Sequence, residues 1–229
     1  MQVVIPMAGR GSRFVEAGYT TPKPFLNVQG KTMIERVVEN VCEDGDSLVL
    51  LVLAEHIPLL PKSLMHRPKT AIVPVAEVTQ GAACTVLLAM PFLDAEKPLI
   101  IANSDQFACY DKGHFRANVT FGKGLILTVE RDDPKYSYVL KNAAGMVVRV
   151  AEKQVISNMA TVGYYGIRKA KLFSEAVACM MERQDTYKGE YYVAPAFNYM
   201  DEVRAVPAYE MYLLGTPEEY EKNAGVLPL

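Results

Sequence analysis

The chain has 229 residues, half of them apolar, and a formal net charge of −2. That length favours a single compact domain with a sizeable core. The near-neutral balance excludes nucleic acid or an anionic membrane as the main partner, so any phosphate site has to be local. Taken in chain order, an apolar strand at 2–6 starts almost at once, so neither a signal peptide nor, with no apolar run of about 18 residues, a membrane span is expected. Thr32 to Glu43 reads as a helix, with Met33, Ile34, Val37, Val38 and Val41 at helical spacing. Strands follow at 48–53, 70–75 and 98–103, with a second helix from Gln80 to Phe92. Strands that are apolar on both faces and alternate with helices imply a parallel sheet covered on both sides.

The second half changes character. Residues 124–130, 136–141, 146–152 and 161–168 read as strands separated by turns such as Asp132-Asp133-Pro134 and Asn142-Ala143-Ala144-Gly145. Lys171 to Arg183 reads as a helix. A last short helix runs from Pro217 to Asn223, capped by Thr216, with Glu218 and Glu219 in its first turn. No linker divides the chain, so one domain over 1–229 is expected. Cys42, Cys84, Cys109 and Cys179 form no CxxC pair and stand at no zinc spacing from His56, His66 or His114. They read as idle thiols of a reducing compartment, which points to a cytoplasmic protein. In an open α/β sheet, ligands bind beyond the carboxyl ends of the strands, so the loops at 7–24, 76–82 and 104–112 are the ones expected to carry function.

The first of these loops holds Gly9, Arg10, Gly11, Ser12 and Arg13, followed by Pro22-Lys23-Pro24. Gly30-Lys31-Thr32 fails as a P-loop because Phe25 stands where its first glycine belongs, and Phe14 occupies the third-glycine position of a dinucleotide motif. A bare Gly-x-Gly is also what an ordinary strand-to-helix turn needs. Lys23, stiffened by two prolines, suits a preorganised phosphate contact, and an arginine adds a forked donor. Elsewhere, Thr79-Gln80-Gly81 read alone is a helix start, Asp105 is either a cap or a metal ligand, and Glu152-Lys153 read alone is an exposed charged pair. The tyrosines of the second half, including Tyr136, Tyr165, Tyr187 and Tyr192, read mainly as strand packing.

Together, Ala8-Gly9-Arg10-Gly11-Ser12-Arg13-Phe14, Pro22-Lys23-Pro24 and Gly30-Lys31-Thr32-Met33-Ile34 resemble the sugar-phosphate nucleotidyltransferases, whose fingerprint is G-x-G-[ST]-R, P-K-P and G-K-P-[ML]-I. The resemblance implies a Rossmann-like three-layer α/β/α sandwich with a mixed, mainly parallel central sheet. It also implies an NTP-binding half over 1–112 and an acceptor-binding half over 113–229. On that model an NTP and a phosphorylated acceptor, a sugar 1-phosphate in the first instance, give a nucleotidyl-linked product and pyrophosphate. The implied roles follow by position. Backbone groups of Gly9, Gly11 and Ser12 cradle the phosphates, and Ala8, Gln80 and Gly81 contact the base. Arg13 neutralises the departing pyrophosphate, Lys23 bridges the α-phosphate and the incoming phosphate, and Asp105 holds Mg²⁺. Lys153 fixes the acceptor's phosphate, while Tyr138, Glu152, Asn158 and Glu190 line the acceptor pocket.

Three positions depart from the family pattern. Leu213 stands where a second metal-binding aspartate is usual, Ser137 replaces a glycine in the Tyr136-Ser137-Tyr138-Val139 strand, and Gln154 replaces a proline after Glu152-Lys153. Leucine cannot coordinate Mg²⁺. Two other classes therefore stay open: a nucleotide-binding regulator that has lost turnover, and a GT-A type glycosyltransferase in which Ser104-Asp105 would hold the metal of an NDP-sugar. The pair Arg13 and Lys23 argues against the latter, because a diphosphate donor needs no pyrophosphate clamp. A stand-alone activating enzyme for surface polysaccharide, possible as a homo-oligomer, is the expectation. The base of the NTP is not readable from these residues.

Overall fold

The computed structural model describes residues 1–228. The first half runs β1 (Gln2–Met7), α1 (Ser12–Glu16), β2 (Asn27–Val28), β3 (Lys31–Thr32), α2 (Met33–Val41), β4 (Ser47–Leu53), α3 (Lys62–Met65), β5 (Thr70–Val75), α4 (Ala82–Leu87), β6 (Leu99–Ala102), β7 (Gln106–Cys109) and α5 (Lys112–Asn118). The second half runs β8 (Gly124–Glu130), β9 (Ser137–Lys141), β10 (Val147–Glu152), β11 (Met159–Ile167), α6 (Ala170–Glu182), β12 (Val203–Pro207), β13 (Glu210–Leu213) and α7 (Pro217–Asn223).

β1 lies at the centre because its side chains are apolar in both directions. Val3, Ile5 and Met7 face one core and Val4 the other, all essentially buried. β4 does the same, sending Leu48, Leu50 and Val52 to one face and Val49, Leu51 and Leu53 to the other. Each such fully buried leucine or isoleucine contributes about 1.5–3 kcal/mol relative to exposure. Helix α2 covers one face through Ile34, Val37, Val38 and Val41. It starts in a capping box, in which the Thr32 side chain accepts from the Glu35 N–H and the Glu35 carboxylate accepts from the Thr32 N–H. Helix α6 covers the other face through Phe173, Ala176, Val177 and Met180.

The main sheet has nine strands, with β10-β9-β11-β6-β1-β4-β5 in order, β8 attached at β11 and β12 at β8. β6, β1, β4 and β5 are parallel, and β11 runs antiparallel to β6, β8 and β9, so the sheet is mixed. With helices on both faces it forms the three-layer α/β/α arrangement expected. From β1 the chain builds outward through β4 and β5, then returns to add β6 on the other side. The carboxyl ends of β1 and β6 therefore flank the topological switch point, where the two following loops part and leave a crevice.

Two expectations need correction. The segment from Gln80 to Phe92 is not one helix: α4 ends at Leu87, and a 3₁₀ turn covers Met90–Phe92. Pro91 lacks an amide hydrogen and disfavours helical backbone at Met90. The functional loop after β6 is also shorter than 104–112, because β7 begins at Gln106. β7 forms an antiparallel ribbon with β13, a partner more than a hundred residues away, for which no local pattern gives notice.

Candidate active site

A cleft of about 520 Å³ opens at this switch point. Its floor and one wall come from Pro6 to Arg10 at the carboxyl end of β1, Lys23, and Asn103 to Gln106 after β6. The opposite wall is formed by Lys135, Tyr136, Ser137, Glu152, Lys153, Glu190 and Tyr192.

The loop after β1 is shaped by Gly11, whose φ of 62° and ψ of 34° are left-handed and whose position caps α1. An added Cβ would also lie 3.4 Å from the Lys23 Cβ, so the loop and the Pro22-Lys23-Pro24 turn pack directly on each other. The N–H groups of Gly9 through Ser12 have no protein acceptor among the described residues and stay free for a ligand. Lys23 opens a 3₁₀ turn behind Pro22. Its ammonium lies 2.7 Å from Asp105 Oδ2, across the switch point. Asp105 rests on a rigid base: Asn103 Nδ2 donates to Gln106 Oε1 at 3.0 Å, and that pair fills the space over Gly163, where any side chain would collide with both.

The far wall is polar and aromatic. Burial raises the pKa of Glu152, while the Ser137 hydroxyl, which donates to it, and Lys153 offset part of the rise. Lys153 Nζ bonds the Tyr192 hydroxyl at 3.1 Å and lies 4.8 Å from the Tyr192 ring centre and 5.2 Å from that of Tyr187. Burial alone would lower the Lys153 pKa, but Tyr192 and the Glu152 charge reverse this and leave it raised. Gly81 welds this wall to the nucleotide side. Its φ is 115°, and an added Cβ would strike the Tyr191 backbone, whose N–H donates to Gln80 O at 2.9 Å and whose carbonyl accepts from Ala83 N at 3.0 Å.

Of the residues singled out from sequence, the cleft gathers Ala8, Gly9, Lys23, Gly81, Asp105, Glu152, Lys153 and Glu190. Gly11 and Ser12 are not on its wall, and neither is Arg13, which is exposed on α1. Arg10 lines the cleft instead, because the left-handed turn at Gly11 redirects the chain between the two arginines. Gln80 is exposed, with its amide donating to Gly189 O at 3.2 Å. Tyr138 is fully buried, its hydroxyl donating to Asp133 O at 2.9 Å, and belongs to the core rather than the pocket. Asn158 sits outside the cleft, with its amide 3.3 Å from Glu130 Oε1. Sequence reading did not single out Arg10, Lys135, Thr161 or Tyr165 as cleft residues. Lys135 follows a Pro turn that signals only a turn, and Thr161 and Tyr165 lie inside a strand whose alternation shows facing but not what is faced.

Among the described residues no three His, Cys, Asp or Glu side chains gather as a metal cage. No helix among them is long and apolar enough to cross a membrane.

Fold and cleft together define an α/β protein with a glycine loop, a lysine and a carboxylate converging at its topological switch point. A family model described as nucleotidyl transferase matches residues 2–201, and the chain belongs to that family. Among curated relatives, the bifunctional protein GlmU of Cupriavidus metallidurans is 30% identical over 160 residues, covering 67% of this chain and 34% of that protein. The mannose-1-phosphate guanylyltransferase catalytic subunit beta of Drosophila melanogaster is 24% identical, over 96% of this chain and 60% of that one. The chain thus spans about a third of the GlmU length. In fold it matches a nucleoside-diphosphate-sugar pyrophosphorylase from Vibrio cholerae RC9, with a TM-score of 0.83, 24% identity, and 96% and 98% of the two chains covered. It also matches a UDP-glucose pyrophosphorylase complexed with UDP-glucose, with a TM-score of 0.79, 16% identity, and 97% and 96% covered.

Proposed function

We propose that this protein transfers a nucleotidyl group from an NTP to a phosphorylated acceptor, a sugar 1-phosphate in the first instance, and releases pyrophosphate. One observation carries the reading. A single cleft has free loop amides and the Lys23–Asp105 pair at one end, and Glu152, Lys153 and Glu190 at the other. That is one anion site and one polar, donor-rich and acceptor-rich site, set side by side. The names of the relatives, which act on sugar phosphates and nucleotides, support the same reading. On this reading the chain would work in the cytoplasm, as one domain that prepares a nucleotide-linked sugar.

In this mechanism an oxygen of the acceptor phosphate attacks the α-phosphorus as the bond to the bridging oxygen breaks, and pyrophosphate leaves with that electron pair. The acceptor phosphate is already an anion, so no protein base has to remove a proton. Catalysis comes from alignment and charge neutralisation. Lys23 swings from Asp105 to the α-phosphate and the incoming oxygen. Arg10, rather than Arg13, faces the departing phosphates, together with the amides of Gly9 and Arg10. Lys153 meets the acceptor phosphate, and Glu152 and Glu190 accept hydrogen bonds from its hydroxyls. Ala8 and Gly81 border the space for the base.

The donor chemistry here fits a divalent cation such as Mg²⁺, which is commonly held by one or two carboxylates plus substrate phosphates. Asp105, partly exposed at the cleft floor, would hold it. When bound, it would neutralise charge on the phosphoryl oxygens.

The test is direct. Each NTP is incubated with the protein, Mg²⁺ and a panel of sugar 1-phosphates, and pyrophosphate is followed. Release with one NTP and one acceptor is expected. Silence across the panel with nucleotide binding retained would replace this reading with that of a non-catalytic nucleotide-binding protein.

A further inference from the structure

Leu213 lies in β13 opposite Gln106, and its aliphatic side chain offers a cation nothing. Asp105 would thus act alone, but the chain brings a second carboxylate to it from another element. Past β13, Leu214 N donates to Asp105 O at 2.9 Å, and Gly215 follows directly beside the aspartate. A Cβ at Gly215 would lie 3.1 Å from Asp105 Oδ2 and 3.4 Å from Glu219 Oε2. The two carboxylate oxygens therefore flank one bare glycine, in a space that any side chain would fill.

Glu219 is well fixed. It sits in the first turn of α7, where its own N–H donates to the capping Thr216 Oγ1 at 3.3 Å. The helix is pinned by Asn223 Nδ2 donating to Leu213 O at 2.8 Å and by the Tyr220 hydroxyl donating to Asn27 O at 2.6 Å. The Glu219 side chain is only 19% exposed, and Lys135 Nζ lies 3.0 Å from its Oε1. Oε2 has no hydrogen-bond partner among the described residues. The arrangement repeats at Asp105, where Lys23 holds Oδ2. So two carboxylates stand side by side, each held by one lysine, and both lysines line the cleft. A polyanion entering the cleft would draw both ammonium groups toward itself and release both carboxylates at once.

We propose that Glu219 is the second carboxylate for the divalent cation, taking the part that Leu213 cannot play, and that Lys135 neutralises it until the triphosphate arrives. The inference rests on the nucleotidyl-transfer reading. Two hard oxygen donors from the protein, completed by phosphate oxygens and water, suit a small divalent cation. Metal and nucleotide then bind together, each favouring the other.

The test measures binding rather than turnover. Calorimetry records the affinity for the α,β-methylene analogues of ATP, CTP, GTP, UTP and dTTP, once with Mn²⁺ and once with EDTA. Wild-type protein should bind one analogue about tenfold or more tightly with Mn²⁺. Glu219→Gln, which keeps the shape and the helix cap, should lose most of that metal-dependent gain while its affinity in EDTA stays within about threefold. Lys135→Met should keep the gain, which separates metal ligation from the mere holding of Lys135. Thermal melts confirm that each variant is folded. A full metal-dependent gain in Glu219→Gln, or an equal loss in Lys135→Met, overturns the proposal. If Asp105→Asn loses the gain and Glu219→Gln does not, the transferase reading stands and Glu219 alone is rejected. If wild-type protein binds no analogue under either condition, the transferase reading falls, and this inference with it.

Discussion

Replacing Lys23 by Gln separates the folding role of its ion pair from its chemical role. In the free protein the Lys23 ammonium contacts one charged group, Asp105, at 2.7 Å, with side chains 20% and 24% exposed. The pair faces an open cleft, so the aspartate left behind can be hydrated. The cost in stability is that of a partly solvated pair, about 1 kcal/mol or less. For a chain of this size that is a fall in Tm of roughly 2–4 °C. In the proposed mechanism the chemical cost is far larger, because there the same ammonium meets charge that develops during the reaction. Losing one such preorganised donor typically costs about 2.7–4 kcal/mol, or about 10²–10³-fold in rate. The two effects are therefore expected to diverge: a small shift by differential scanning fluorimetry and a loss of two to three orders of magnitude in kcat/KM by a continuous pyrophosphate assay. A rate loss below about tenfold, which is about 1.4 kcal/mol, would refute the assignment of Lys23. A collapse in Tm with a proportional loss of activity would show instead that the pair is structural.

Three further outcomes follow. Arg10→Gln should weaken triphosphate binding by about tenfold or more, the scale of a charge-assisted hydrogen bond, while Arg13→Gln stays near wild type by calorimetry. Gly81→Ala should destabilise by about 2–5 kcal/mol in urea unfolding, from strain at a positive φ and from one or two broken hydrogen bonds to the Tyr191 backbone. Asp46 is 3% exposed and bonds the Arg116 guanidinium at 2.7 Å and the amino terminus. Burial opposes its charge, but these partners outweigh burial and hold its pKa below the usual carboxylate range. The folded pKa thus lies below the unfolded one. Its contribution is complete above the unfolded pKa and is lost as pH falls through the folded one, so Asp46→Asn should flatten the acid limb of a stability–pH curve. At neutral pH the same change leaves Arg116 with Glu43 as its remaining charged partner and should cost about 1–3 kcal/mol, read from chemical denaturation.

Much of this protein was legible in the chain itself. Both-face apolar runs at 48–53 and 98–103 require a buried parallel sheet, because only helices on both sides keep such strands from water. Helical spacing of apolar residues from Thr32 marked α2, and the capping Thr216 marked the start of α7, since both signals are local. The loop after β1 and Asp105 after β6 were found for the same reason: strand, turn and charged residue are contiguous in sequence.

What the chain alone did not settle depends on the direction of side chains and on partners distant in sequence. Arg10 and Arg13 look equivalent on paper, and only the left-handed turn at Gly11 sets one on the cleft wall and leaves the other off it. Tyr138 reads like a pocket residue until the register of β9 against β10 and β11 places it in the core. The β7–β13 ribbon, and with it the approach of Glu219 to Asp105, joins segments separated by most of the second half. Periodicity reports which face of a strand is buried, because that is decided within a few residues. Which charges meet across a cleft is decided by packing over the whole chain.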